Sequence, residues 1–161
     1  MQVLVSVSSR HGGTRELGGR VAEALRDRGH GVDQVEPDEV EHVHQYDAVV
    51  LGTSVYVGRV GLDLKDLVER QGATLRGRQV WMFWSGPATD EPDRVAAPED
   101  VEFVAHAVGA AGVRVFGGRV EREALSITER SLVALVPVEP GDHRDLAAAY
   151  VWGSEIAAAL S

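Results

Sequence analysis

No cysteine occurs in the chain. Disulfides, thiolate catalysis and cysteine-ligated zinc or iron–sulfur clusters are excluded outright. Lysine is nearly missing as well: Lys65 stands alone among cations that are otherwise arginine. A P-loop lysine or a Schiff-base lysine is therefore not expected. No apolar run has the ~20 residues of a membrane span, so no integral membrane segment is expected. The opening MQVLVSVSS has no basic n-region and no cleavage-site pattern; it reads as a strand, and the expected location is cytoplasmic. Positive charge is in short supply: 16 Lys and Arg face 25 Asp and Glu, a net charge of −9. Such a surface repels nucleic acid, which is not an expected partner. It suits docking to basic partners, or solubility alone.

What is present is the composition of an ordinary globular protein, 44% hydrophobic over 161 residues, enough for a single domain, 1–161, with one core. Residues 3–7 are short and apolar, like a strand buried on both faces. Leu17, Val21, Ala22 and Leu25 recur at helical spacing up to Gly29, which reads as a helix stop. Gly18 and Gly19 early in this helix suggest close packing on a sheet or close ligand approach. A weaker strand, 31–35, precedes a brief helical turn around 38–43. The strands DAVVLGTS (47–54) and QVWMFWSG (79–86) are strong, and GVRVFGG is a fifth. Leu64, Leu67 and Val68 line a helix over 62–75. Pro98, Glu99 and Asp100 open another, with Val101, Val104, Val108 and Ala111 as its stripe. Leu146, Tyr150, Gly153, Ala157 and Leu160 line the last. Alternating strands and helices predict an α/β fold: a doubly wound five-stranded parallel sheet, order 2-1-3-4-5, with helices on both faces. Ligands of such sheets bind at the carboxyl ends of the strands.

Three loops at those ends carry the candidate chemistry. The first, Ser9-Arg10-His11-Gly12-Gly13-Thr14, lies between a buried strand and a helix N-terminus. Free N–H groups, the helix dipole, hydroxyls and small residues there favour a phosphate; the other reading is a glycine-rich connection with capping residues. The spacing is neither G-x-G-x-x-G nor G-x-x-x-x-G-K-[ST], so a Rossmann dinucleotide site and a P-loop nucleotide site fit poorly. In the second loop, Thr53-Ser54-Val55-Tyr56-Val57-Gly58-Arg59, a flat ring can lie against Tyr56, or Tyr56 can pack under the loop. The third, Trp84-Ser85-Gly86-Pro87-Ala88-Thr89-Asp90, has the small residues of a second crevice wall, or of a plain turn. No catalytic side chain and no metal ligand is assigned. His42 and His44 beside acidic neighbours read as solvated, His30 and His143 as residues near element ends, Trp81 as core, and Trp84 as near enough to the crevice to reach a ligand.

SSRHGGTRE, YDAVVLGTSVYVGR, FGGRV and GDHRD, in this order along the chain, resemble the flavodoxin superfamily. Within it they are similar to the bacterial flavodoxin-domain proteins grouped with menaquinone-dependent protoporphyrinogen oxidase. The resemblance implies that FMN is the cofactor. Ser9, Arg10, His11, Gly12, Gly13 and Thr14 would hold its phosphate, Ser54, Val55, Tyr56, Val57 and Gly58 would flank one side of its ring, and Ser85, Gly86 and Pro87 the other. His11 stands where a threonine is usual, and the third loop lacks a stacking aromatic. The implied function is electron transfer with a redox partner protein, or an FMN-dependent oxidoreductase acting on a small molecule, including protoporphyrinogen with a quinone acceptor. The alternative is a flavodoxin-like binding or regulatory module that has lost FMN. The segment 122–140, with its apolar SLVALVPV, reads first as core or lid and second as a contact for a partner or for peripheral membrane attachment.

Overall fold

The computed structural model describes residues 1–10, 12–87, 89–120 and 141–160. Strands β1 (Gln2–Ser8), β2 (Gly31–Gln34), β3 (Ala48–Tyr56), β4 (Arg59–Val60), β5 (Gln79–Ser85) and β6 (Gly112–Phe116) form one sheet. A separate two-stranded ribbon joins β7 (Arg119–Val120) to β8 (Gly141–Asp142). The helices are α1 (Gly13–Asp27), α2 (Leu62–Arg76), α3 (Glu99–Val108) and α4 (Leu146–Ala159). The long strands run β2-β1-β3-β5-β6, all parallel. With two-residue β4 set aside, this is the expected order 2-1-3-4-5. The sequence did not suggest β4, which folds back antiparallel on β3, pairing Val55 with Val60 and Tyr56 with Arg59.

Side chains alternate across the central strands, so each strand feeds two cores. Leu4, Val49, Leu51, Val80, Met82 and Trp84 pack with Leu64, Leu67, Val101 and Val104 of α2 and α3. Val3, Val5, Val7, Val50, Trp81 and Phe83 pack with Leu17, Val21, Trp152 and Ile156 of α1 and α4. The alternation corrects the reading of Trp84: it shares its parity with Val80 and Met82, is 3% exposed, and lies in the core rather than at the crevice. It also separates the two early glycines of α1. A Cβ on Gly18 would come within 2.5 Å of Val7 Cγ2, whereas at Gly19 the nearest atom is 3.8 Å away. Gly18 serves helix–sheet packing.

Two helix stripes differ from expectation. Gly109, left-handed at φ 64, ends α3, so Ala111 falls outside the helix and is exposed. In α4 the buried residues are Ala149, Trp152, Gly153 and Ile156. Leu146, Ala157 and Leu160 sit at the edge of that core, and Tyr150 donates its hydroxyl hydrogen to Asp27 at 2.6 Å. A mostly apolar helix offers no polar face to fix its rotation, and Trp152, its largest residue, takes the core.

Candidate functional site

The carboxyl ends of β1, β3 and β5 lie side by side, and the three candidate loops leave from them. The turn from β1 into α1 passes through Gly12, which is left-handed (φ 84) and brings no capping side chain to the helix. A Cβ there would strain the backbone. The helix end carries first-turn N–H groups and the positive end of the dipole. Ser9 Oγ accepts from the Arg15 N–H at 3.3 Å, and the Arg10 N–H donates to Ser54 Oγ at 3.3 Å. The Arg10 guanidinium lies over the Tyr56 ring, 4.3 Å from its centroid. Backbone and side chain of Arg10 thus tie the first loop to the second. His11 lies outside the described residues, as does the segment 122–140.

The second loop is the tip of the β3–β4 hairpin. Tyr56 pairs with Arg59, and the two residues between them, Val57 and Gly58, both have positive φ, 51 and 72. That combination belongs to the type I′ turn of tight hairpins. Glycine accepts it freely, but a β-branched valine does not. Val57 is also 67% exposed.

Between these loops and the start of α2 lies a cavity of about 740 Å³. Of the expected residues, Ser9, Arg10, Ser54, Tyr56 and Val57 line it. The others take different places. Val55 packs against the α2/α3 core. Thr14 and Ser85, both buried, share a hydroxyl hydrogen bond of 2.7 Å that joins α1 to the end of β5. A Cβ on Gly86 would lie 2.7 Å from the Val55 carbonyl oxygen, so the third loop sits directly against β3. Pro87 holds it from the other side, accepting the Gly118 N–H at 3.0 Å. Gly12, Gly13 and Gly58 shape backbone rather than line this cavity.

Ser8 and Arg59, at the ends of the candidate loops, also line it, and the sequence did not suggest the remaining wall: Val60, Gly61, Leu62, Asp63 and Lys65. The Ser8 hydroxyl donates to the Asp63 carboxylate. A Cβ on Gly61 would fall 1.9 Å from Ser8 Oγ, so only glycine lets the chain enter α2 here. Asp100, from α3, accepts the Val60 N–H at 2.8 Å and pairs with Lys65 at 2.5 Å. Burial opposes its ionisation, but the hydrogen bonds from Lys65 and Val60 and the charges of Lys65 and Arg59 outweigh it and hold the carboxyl below its usual range. The cavity wall holds Arg10, Arg59 and Lys65 against Asp63, with Lys65 also paired to Asp100, a small positive excess in a chain of net charge −9.

Arg144, part of GDHRD, is a further support that sequence reasoning did not single out. Its side chain, 6% exposed, grips Asp142 through Nε and Nη2 at 2.9 and 2.8 Å. Through Nη1 it reaches Glu16 at 2.8 Å and the Gly13 carbonyl at 3.3 Å. The Asp142 hydrogen bond raises its pKa against the effect of burial, with Glu16 adding to the rise, so it stays charged and fixes the first turn of α1 to β8. His143 pairs with Asp90 at 2.8 Å. His42 and His44 tilt together at 5.3 Å, and among the described residues no group of three His, Cys, Asp or Glu side chains is placed to hold a metal. Nor is any helix among them long and apolar enough to cross a membrane.

The family profile described as "Flavodoxin domain" matches residues 4–146. No curated protein matches the chain. Among solved structures, a flavodoxin from the domain Archaea aligns over 99% of both chains, with a TM-score of 0.68 and 14% identity. Oxidised Flavodoxin 1 from Bacillus cereus aligns over 100% of both, with a TM-score of 0.66 and 18% identity. The rubredoxin oxygen:oxidoreductase of Desulfovibrio gigas matches 98% of this chain with 37% of its own length, at a TM-score of 0.54 and 13% identity. At these identities the likeness is one of fold.

Proposed function

Because the chain belongs to the flavodoxin domain family, matched over residues 4–146, we propose that it binds FMN at the β1–α1 loop and the β3–β4 hairpin and works as a redox protein. The observation that carries this reading is the junction at Arg10: the loop that leads into α1, through Ser9 and Arg10, and an exposed aromatic loop meet there across one cavity. The donor set suits a phosphate ester. It comprises first-turn N–H groups of α1, the Ser9 and Ser54 hydroxyls and the Arg10 guanidinium. Bound FMN supplies the electron chemistry; the protein binds, orients and tunes it.

The residues divide the work. Gly12 and Gly13 let the backbone approach the phosphate, and Arg144 holds that turn in place. Tyr56, Val57 and Gly58 form one side of the ring site. Ser85, Gly86 and Pro87 form the other, with Ser85 tied to α1 by the Thr14–Ser85 bond. No side chain has to act as nucleophile or general base. Both an electron shuttle docking a protein partner and an oxidoreductase acting on a small molecule suit this division of roles. The narrower role, protoporphyrinogen oxidation with a quinone acceptor, rests on the SSRHGGTRE and GDHRD resemblance and is tested by turnover of that pair.

The deciding experiment is the visible spectrum of the purified protein and titration of its flavin-free form with FMN. Flavin absorption and saturable FMN binding are expected. A colourless protein that binds no FMN sinks the redox reading and leaves a flavodoxin-like binding module.

A further inference from the structure

We propose that His42 and His44 form a two-histidine site for a divalent late transition-metal ion, Cu²⁺ more tightly than Zn²⁺. The pair lies in the connection from β2 to β3, before Ala48 opens β3. The candidate cavity is at the far end of that nine-residue strand, so the pair stands apart from the FMN reading. Both histidines are exposed, while Val43 between them is fully buried. Their rings lie side by side, with centroids 5.3 Å apart. Among the described residues, neither imidazole has a hydrogen bond or ion pair.

That separation is the one a shared ion needs. With Zn–N bonds of about 2.0–2.1 Å and ring nitrogens about 1.1 Å from their centroids, two imidazoles at a tetrahedral angle set their centroids about 5.2 Å apart. Turning each ring about its Cβ–Cγ bond leaves its centroid nearly in place and aims one nitrogen of each at a common point. The backbone that carries the pair is already fixed. Arg70 donates to the Val40 and Pro37 carbonyls at 2.8 and 3.1 Å. Gln71 accepts the Val43 N–H at 3.3 Å and donates to the Glu41 carbonyl at 3.2 Å. Arg78 donates to the His44 and Tyr46 carbonyls at 3.0 and 2.8 Å. Val40, Val43 and Tyr46 anchor the same segment in the core. Binding therefore has only two side chains to order. The unfolded chain has the same H-x-H without this frame and binds the ion more weakly. Among the described residues no third His, Cys, Asp or Glu is placed to join the pair. Water completes the coordination shell, and the ion stays open to an outside ligand.

The test is calorimetric titration of the full chain, carrying no added histidine tag, with Zn²⁺, together with urea unfolding with and without the ion. Zn²⁺ should bind saturably and raise the urea midpoint, because only an ion that prefers the folded state does so. Mg²⁺, which takes oxygen ligands, should do neither. His42→Ala and His44→Ala should each weaken Zn²⁺ by about a hundredfold, since losing one donor removes the intramolecular second step of binding. Each should also cancel the rise in midpoint while leaving the midpoint without Zn²⁺ where it was, as expected of exposed positions. His30→Gln, at a ring whose Nδ1 lies 3.1 Å from the N-terminal amine, should leave the Zn²⁺ affinity unchanged. Absence of Zn²⁺ binding overturns the inference. So does binding that survives His42→Ala and His44→Ala, or that His30→Gln removes. Binding with no rise in midpoint overturns it too, since the folded frame would then add nothing to the H-x-H itself.

Discussion

Asp100 shows how one carboxylate holds the entry to α2. It lies on α3, yet both its oxygens are used across the element boundary, one by the Val60 N–H and one by Lys65. Its side chain is 14% exposed, so water does little to replace a lost partner. Asp100→Asn removes the charge facing Lys65 and should destabilise the protein by about 1–2 kcal/mol at neutral pH. The pH dependence follows from the depressed pKa. Folding favours the ionised form, so the contribution is complete above the unfolded-chain value, near about 4, and is lost as the pH falls through the lower folded value. Urea unfolding of both proteins from pH 7 down to pH 3 should show the gap shrinking only at the acid end. A gap that is constant with pH would assign the effect to packing instead.

At the scale of elements, the strands were legible and the connections were not. Buried parallel strands announce themselves as apolar runs, and VLVSV, AVVLGT and VWMFW lie in the sheet where their composition puts them. α1 was readable because Leu17, Val21, Ala22 and Leu25 stand out from charged neighbours. α4 was misread by about a quarter turn because alanine-rich, apolar residues surround it, and packing alone decides which side is buried. The hairpin was hidden for another reason: the type I′ turn is usually marked by Asn-Gly, and here the first position is Val57. The Ser8–Asp63 and Lys65–Asp100 contacts that finish the cavity wall join residues 55 and 35 positions apart, and no local pattern encodes such pairs. The β1–α1 loop stood out by its glycines and hydroxyls; its support, Arg144, lies more than a hundred residues downstream. The hairpin yields a prediction. Val57→Asn restores the preferred turn residue at a left-handed position and removes an exposed valine. It should raise stability by about 0.5–1 kcal/mol, read as a higher midpoint in urea with unchanged slope. A lower midpoint would mean that Val57 makes contacts worth more than its backbone strain.

At the scale of the molecule, local and global charge oppose one another. The whole chain carries −9, while the cavity wall sets Arg10, Arg59 and Lys65 against Asp63, with Lys65 also paired to Asp100, which leaves a small local excess of positive charge. Arg15, also in the first turn of α1, is held by Glu36 at 2.7 Å, so it adds little local excess. A phosphate dianion approaching from solvent meets the repulsion of the whole protein first; the cations of the cavity act only at close range. Salt screens the two by different amounts: the Debye length is about 30 Å at 0.01 M and about 8 Å at 0.15 M ionic strength. Raising salt over this range should therefore remove the distant repulsion before it removes attraction inside the cavity. The association rate of FMN, followed by stopped-flow fluorescence, should rise severalfold, while that of neutral riboflavin stays level. The dissociation rate of FMN should rise modestly, because the contacts it breaks are local and partly shielded from solvent. If FMN associates more slowly at higher salt, the cationic mouth already dominates the field at a distance, and the acidic remainder of the surface plays no part in cofactor capture.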